Sequence, residues 1–402
     1  VVIRHQGYRF LLKPTASEEA LLRQFLGCSR FVWNAILAEN EARYEQGDPL
    51  PLNSFAFSAR LMILKRRHAF LRDAHSQPLQ QTVRDLASAY QRAFDPSLGA
   101  DLPIFKRKGE AESIRLPQAF KVQRSGVYLP KIGWVAFRAS KRTRAIEGKV
   151  KSVTVRLESG RWYVAFLTER EIPEKTHPRP NAVVGIDVGV TRFAALSDGT
   201  FIDGPNAFKR HAKRLACLQR RLSRRVKRSA NWRKAKARVT KLHFQMANIR
   251  RDHLHKSSAK ISKSHAIVVL EDLRIKNMSA SASGNIETPG KYVAQKRGLN
   301  RRILDQGWGE FRRQLKYKLE WSGGKLLLVD PRNTSRTCSA CGDVSAENRT
   351  TQAAFKCVAC GLALNADTNA ARNILGRAGC ARIACGDLPL GESAKQEAPC
   401  VA

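Results

Sequence analysis

Four cysteines, Cys338-x2-Cys341 and Cys357-x2-Cys360, lead after seven residues into Asp367. The C-x2-C-x15-C-x2-C spacing is that of a tetrahedral zinc site. Gly342 and Gly361 follow the second cysteine of each pair, where a tight knuckle needs a small residue. Four thiolates leave no open coordination position, so the expected Zn²⁺ is structural. Two more acids stand upstream: Asp187 in Gly185-Ile186-Asp187-Val188-Gly189-Val190, and Glu271 in Leu270-Glu271-Asp272-Leu273. Carboxylates suit the hard, oxygen-seeking Mg²⁺ ion. Two such ions, typically ~3.5–4 Å apart, clamp the attacking water and the leaving oxygen in phosphodiester hydrolysis. Asp187, Glu271 and Asp367 are therefore the candidate catalytic residues and magnesium ligands.

Each acid alone has a plainer reading. A G-x-D-x-G strand also opens sugar kinases and actin-like ATPases. A glutamate ending a strand is usually a surface residue, and an aspartate in a first helical turn is favoured by the helix dipole. The charge balance favours the hydrolytic reading. The 402 residues carry 72 Lys and Arg against 34 Asp and Glu, a net charge of +38. Such an excess calls for a polyanion partner, with counterion release supplying much of the affinity. The length predicts two to three domains. No stretch approaches the ~18 apolar residues of a membrane span, and no apolar signal segment opens the chain. The paired cysteines fit metal binding in a reducing compartment better than disulfides, so a cytoplasmic, nucleoid-associated location is expected. Cys28 and Cys217 read as small core residues, and Cys380, Cys385 and Cys400 as partnerless tail thiols.

The elements that must position these acids follow from periodicity. Tyr8 to Lys13 reads as a strand. A helix is expected from Ser17, taken as N-cap, to about Gln46, with others over Ser54 to Lys65 and Gln80 to Phe94. From Ser113 to Glu171 the apolar period falls to two, predicting antiparallel strands with a turn at Ser159-Gly160. Residues 172–180 read as a linker. Ala182 to Asp187 and Phe193 to Leu196 predict a hairpin, turning at Asp198-Gly199 into a third strand. Ala266 to Leu270 and Lys325 to Val329 read as buried strands. Trp308, Phe311, Leu315 and Leu319 share one face of a helix. Met278 to Gly298 is Ser/Gly-rich and reads as mobile. Strands in this order can form one mixed sheet with helices on its faces, an α/β arrangement. Asp187 would lie mid-sheet, Glu271 at the end of a neighbouring strand, and Asp367 would approach on a packed helix. Gly185 and Gly189 would leave room for substrate backbone.

Residues 206–264 hold 20 Lys or Arg and one acid, Asp252. The apolar stripes Leu215, Leu222, Val226 and Leu242, Met246, Ile249 mark the stretch as helical. Self-repulsion would destabilise it without a partner, which points to a phosphate-lined channel. Arg220, Arg221, Arg224, Arg225, Lys227 and Arg228 are the leading nucleic-acid candidates. Lys106, within Phe105 to Lys108, and Lys141, Arg142 and Arg144 are further ones.

The chain resembles the TnpB proteins of bacterial insertion sequences, compact relatives of type V CRISPR effectors. The resemblance spans about residues 5 to 376. It rests on Cys28-Ser29-Arg30-Phe31-Val32-Trp33-Asn34, Pro103-x-Phe105-Lys106, Gly185-Ile186-Asp187-Val188-Gly189 and Glu271-Asp272-Leu273. Gly307-Trp308, Thr334-Ser335-x2-Cys338, the cysteine set and Asn369-Ala370-Ala371-x-Asn373-Ile374 complete it. The resemblance implies α/β, all-β and helical parts. These are an RNase H-like RuvC domain at 181–334 and 365–377 with an inserted zinc ribbon at 335–364, and a wedge-type β-barrel from 1–15 and 110–178. A helical recognition domain at 16–109 and a disordered tail at 378–402 complete the division. The resemblance implies Asp187, Glu271 and Asp367 as the acidic triad, and a guide RNA made from the transposon end. It also implies a double-stranded DNA target read beside a short flanking motif, with Gln80 and Gln81 as candidate readers, and one protein per guide. Many relatives have Asp-Arg-Asp where this chain has Asn365-Ala366-Asp367, which keeps the second acid.

The leading expectation is an RNA-guided DNA endonuclease, with base pairing supplying sequence specificity. The alternatives are an RNA-guided DNA-binding repressor without cleavage and an accessory transposase protein. His253-Leu254-His255 matches the His-hydrophobe-His pattern of one transposase class. It lies in a basic helical stretch with no tyrosine near it in sequence, and is read as a chance match.

Overall fold

The computed structural model describes residues 1–109, 112–139, 145–285 and 287–379. Lys141, Arg142, Arg144, Cys380, Cys385 and Cys400 lie outside the described residues, as does nearly all of the expected tail at 378–402. The chain divides into two compact units, Val1–Pro173 and Glu174–Ala402.

The first unit begins with β1 (Val2–Lys13) and three helices, α1 (Ala16–Glu45), α2 (Ser54–Arg67) and α3 (Ser76–Ala93). Six strands follow: β2 (Ser113–Leu116), β3 (Lys121–Val122), β4 (Gly126–Leu129), β5 (Gly133–Phe137), β6 (Lys149–Glu158) and β7 (Arg161–Ile172). They form a seven-stranded antiparallel sheet in the order β2-β6-β7-β1-β5-β4-β3. β1 pairs with β7 from Val2 to Leu11, then with β5 at Leu12 and Lys13, so one long strand serves two partners. Alternate residues Tyr8, Phe10, Leu12 and Trp162, Val164, Phe166 face a core shared with the three helices, as the period of two requires. The β6–β7 turn places Ser159 and Gly160 both at positive φ, 52° and 75°, the geometry of a two-residue hairpin.

Two helix starts differ from expectation. Thr15, not Ser17, caps α1: its hydroxyl accepts from Glu18 N while the Glu18 carboxylate accepts from Thr15 N. Both residues are cap-competent by type, and the reciprocal bond decides between them. Helix α3 starts at Ser76, because Pro78 sits in its first turn, where a missing N–H costs nothing.

The second unit carries β8 (Val183–Val188), β9 (Ala194–Leu196), β10 (Phe201–Ile202), α4 (Ala207–Ser223), α5 (Ala230–Ser264) and β11 (Ile267–Glu271). It continues with α6 (Ile275–Met278), α7 (Val293–Gln306), α8 (Trp308–Ser322), β12 (Lys325–Val329), β13 (Ala354–Lys356), β14 (Ala363–Asn365) and α9 (Ala366–Arg377). The sheet order is β10-β9-β8-β11-β12, with β8, β11 and β12 parallel and the other pairs antiparallel. β12 is an edge strand with Leu328 39 % exposed, not a buried one. Val184, Ile186, Val268 and Leu270 pack against Leu254, Ile261, Trp308, Phe311, Leu315 and Leu319 of α5 and α8. Ile267 and Val269 face the opposite way, onto Ile374 and Leu375 of α9. The result is a mixed sheet between two helical layers. Two expectations fail here. Val226 is 80 % exposed in the turn between α4 and α5, and so belongs to no apolar stripe. The stretch read as mobile up to Gly298 includes the start of α7, whose periodic residues lie beyond the Ser/Gly run.

Candidate active site and metal centre

Strand parity puts two of the acids on one face. Ile186 pairs with Leu270 in the parallel β8–β11 ladder, so Asp187 and Glu271 follow one residue later, side by side at adjacent strand ends. They point opposite to Ile186 and Leu270, toward α9. The third acid comes with α9, whose first turn contains Asp367. Gly185 makes that approach possible. A Cβ there would strike Ala371 O and come within 2.8 Å of Leu375 N. Gly185 therefore admits the helix backbone rather than a substrate. Gly189 similarly admits Arg192 O, which a Cβ would meet at 2.9 Å. Asn365 caps α9 by accepting from Asp367 N and Thr368 N at 3.1 and 3.4 Å.

The electrostatics match the convergence. Burial raises the Asp187 carboxyl from 3.8 to about 7, aided by the nearby charges of Glu271 and Asp367 and opposed by Arg349. Burial also raises Glu271, against the Thr334 hydrogen bond and the Arg377 charge. The sequence reading missed two neighbours. Thr334 Oγ1 lies 2.6 Å from Glu271 Oε1. Arg349, from the loop between the cysteine pairs, places Nη2 3.9 Å from Asp367 Oδ1 while donating to Gln352 O at 3.0 Å. Thr334 lay in a motif already singled out, but nothing local marks Arg349 among so many arginines.

Cys338, Cys341, Cys357 and Cys360 bring their Sγ atoms within 4.8 Å of one another. The close pairs are Cys338–Cys360 at 3.6 Å and Cys341–Cys357 at 3.5 Å. Tetrahedral zinc with ~2.3 Å bonds needs sulfur separations of about 3.8 Å, so the donor set fits a Zn²⁺ ion. Burial disfavours the Cys338 thiolate, but hydrogen bonds from the Cys341 and Ala340 backbone outweigh it and hold the thiol at about 7. Gly342 and Gly361 both take positive φ, 80° and 75°, which explains glycine after each pair. Among the described residues this is the one group of three or more His, Cys, Asp or Glu ligands gathered closely enough for a single ion. Asp187, Glu271 and Asp367 do not form such a group.

Arg220, Arg221, Arg224, Arg225, Lys227 and Arg228 are all exposed at the end of α4 and in the α4–α5 turn. The two helices hold together through Leu215, Leu242 and Met246. Lys106 sits 3.4 Å above the Trp33 ring, and burial lowers its amine to about 8. Its backbone exchanges two bonds with the Asn34 side chain, and Trp33 Nε1 donates to Ile104 O. The Trp33-Asn34 and Phe105-Lys106 motifs therefore meet. On α3, Gln80 is exposed and Gln81 donates to Asp85. His253, on α5, packs edge-on to Phe193, 5.2 Å between ring centroids. Cys28 is buried and Cys217 half-buried. A concavity of about 930 Å³ behind the first cysteine pair is lined by Ser197, Cys341, Arg372 and Arg377 and by none of the three acids. No described helix is long and apolar enough to cross a membrane.

Residues 165–282 match a family model described as "Probable transposase" and residues 308–374 one described as "Cas12f1-like, TNB domain". Residues 4–48 match one described as "Helix-turn-helix domain", although here they hold strand β1 and the single helix α1. The chain is 44 % identical to "Putative RNA-guided DNA endonuclease InsQ" of Escherichia coli (strain K12), covering 98 % of this chain and 97 % of that one. A Streptomyces pristinaespiralis protein described in the same terms is 33 % identical over 95 % of this chain and 91 % of its own length. The fold resembles a Cas12f1 chain solved as a Cas12f1–sgRNA–target DNA complex. The TM-score is 0.53 and the identity 18 %, covering 89 % of this chain and 82 % of that one.

Proposed function

The chain belongs to the TnpB family of insertion-sequence proteins, and on that premise we propose that it is an RNA-guided DNA endonuclease. Its site would be the cluster of Asp187, Glu271 and Asp367 on the α9 face of the five-stranded sheet. The observation that carries this reading is the half-buried Asp187 carboxyl, set beside Glu271 by the β8–β11 register and pushed up to about 7 in the company of two further acids. An uncompensated buried carboxylate is costly, and its cost is relieved when a cation binds.

The donor set is all oxygen, which fits Mg²⁺ rather than a soft metal. Bound there, a pair of Mg²⁺ ions would supply an activated water and neutralise charge on the leaving oxygen. The chain's own groups do the rest. Asp187 supplies a carboxylate from the central strand, Glu271 one from its neighbour, and Asp367 one from the dipole-positive start of α9. Arg349 places a cation at the edge of this acidic cluster, where it favours the ionised carboxylates and can face a phosphate.

In this reading the second unit is a RuvC-like domain of RNase H type, with the Cys338–Cys360 segment as a structural zinc ribbon. The sheet of the first unit is the wedge-type element, and α1 to α3 form the helical recognition part. The partners are a guide RNA from the transposon end and double-stranded target DNA. Gln80 and Gln81 would read the flanking motif, and Lys106 and the α4–α5 turn would lie along phosphates, with one protein per guide. The protein would read duplex shape while base pairing reads sequence.

A plasmid-cleavage assay tests this. Cutting should require guide RNA, Mg²⁺ and a matched target, and Asp187→Ala should abolish it while leaving target binding within about twofold. An Asp187→Ala protein that cuts normally refutes the site. A wild-type protein that binds target but never cuts is a repressor instead, and unguided cutting at element ends would make it a transposase.

A further inference from the structure

Resting on the assignment of Glu271 as a catalytic carboxylate, we propose that Thr334 is the positioning residue that fixes Glu271, and that α9 holds Thr334 in place through Asn373. Thr334 Oγ1 lies 2.6 Å from Glu271 Oε1 and 3.1 Å from Pro331 O. A hydroxyl has one proton to give, and an ionised carboxylate has none. The shorter bond is therefore a donation from Thr334, of the strong, charge-assisted kind. It commits one Glu271 oxygen and leaves Oε2 available for a cation. Thr334 is only 4 % exposed, so water competes little for its hydroxyl.

Thr334 is itself held. Its carbonyl accepts from Asn373 Nδ2 at 2.8 Å, and the same amide reaches Thr337 O at 2.6 Å. One helical turn earlier, Asn369 Nδ2 donates to Thr337 O at 2.8 Å and Asn369 Oδ1 accepts from Ser339 N at 3.0 Å. Both asparagines are buried on one face of the helix that carries Asp367. The loop between β12 and the first cysteine pair is thus tied on one side to Glu271 and on the other to the helix bearing Asp367. One buried chain of hydrogen bonds sets two carboxylates relative to each other. This gives the Thr334-Ser335-x2-Cys338 and Asn369-x3-Asn373 patterns a common purpose that neither shows alone. Valine matches the shape of threonine but cannot donate, whereas serine keeps the hydroxyl.

The test uses Thr334→Val, Thr334→Ser and, as a second hydroxyl-free variant should valine not fold, Thr334→Ala. Mn²⁺ is titrated into each protein and free Mn²⁺ is read by electron paramagnetic resonance. The Mg²⁺ dependence of guided cleavage, zinc content and melting temperature are measured alongside. Loss of an outer-shell partner typically costs about 10–100-fold in metal affinity. The hydroxyl-free variants should therefore weaken Mn²⁺ binding and raise the half-saturating Mg²⁺ at least about 10-fold. The maximal rate should change less, zinc should stay bound, and serine should restore binding. A serine variant as defective as valine would show that packing, not the hydroxyl, matters, and overturns the proposal. Wild-type Mn²⁺ binding in Thr334→Val together with lost binding in Asp187→Ala overturns the positioning role alone. Wild-type binding in both overturns the site reading beneath it.

Discussion

Asp187→Asn should make the magnesium-free protein more stable, and increasingly so as pH rises. Burial and two acidic neighbours move the Asp187 carboxyl from 3.8 to about 7. At about 1.36 kcal/mol per tenfold change in acidity, full ionisation in the fold costs up to roughly 4 kcal/mol. The folded group binds its proton more tightly than the unfolded one, so the cost grows with pH. It is absent below the unfolded value near 3.8, grows through pH 5 to 7, and levels off above the folded value. Between pH 5 and pH 8 it increases by roughly 2–3 kcal/mol. Asparagine has similar shape and no charge, so the variant escapes the whole penalty. With about 2–4 °C of melting temperature per kcal/mol for a unit of this size, the gap between variant and wild type should widen by roughly 5–10 °C from pH 5 to pH 8. Differential scanning fluorimetry in magnesium-free buffer, with zinc retained, measures this. Added Mg²⁺ at pH 8 should close the gap by stabilising the wild type alone. A gap that does not change with pH, or a variant less stable than wild type at pH 8, refutes the claim that Asp187 is a desolvated acid with acidic neighbours.

Gly185→Ala should lower stability by about 2 kcal/mol or more, because a Cβ there strikes the α9 backbone at Ala371 and Leu375; a melting curve like wild type would contradict that packing. Cys338→Ser should lose zinc by elemental analysis and, since Thr337 and Ser339 beside it are bonded to α9, should also slow guided cleavage. Replacing Arg224, Arg225, Lys227 and Arg228 together by Gln should weaken nucleic-acid binding. It should also flatten the salt dependence, by about 0.7–0.9 log units for each phosphate that is no longer neutralised, as read by filter binding across a salt series. An unchanged slope would show that this turn faces solvent only.

How much could be read in advance varied with distance along the chain. The C-x2-C pairs were legible because a cysteine knuckle is a local object, set by spacing and by a glycine at positive φ. The strands around Asp187 and Glu271 were legible because apolar runs between turns mark buried strands; the same pattern at Lys325 located β12 but not its place at the sheet edge, which leaves Leu328 exposed. Ser17 was misread as a cap because Thr15 and Ser17 offer the same chemistry, and only the reciprocal bond with Glu18 separates them. Helix α7 was hidden by the Ser/Gly composition before it. The purpose of Gly185 could not be seen at all. A missing side chain signals close approach, but the sequence does not say whether substrate or helix approaches.

By itself the sequence determined the chemistry present: four thiols at the spacing of a tetrahedral metal site, three acids, and a basic surplus that calls for a polyanion. Residue type and short spacing are properties of the covalent chain. The tertiary structure alone decided which distant groups meet. The β8–β11 register sets Asp187 beside Glu271, the close seat of α9 on Gly185 brings Asp367, and a buried path through Thr334 and Asn373 links them. Those meetings depend on strand register and helix packing, which are settled by the burial of apolar faces across the whole unit and leave no mark at any single position.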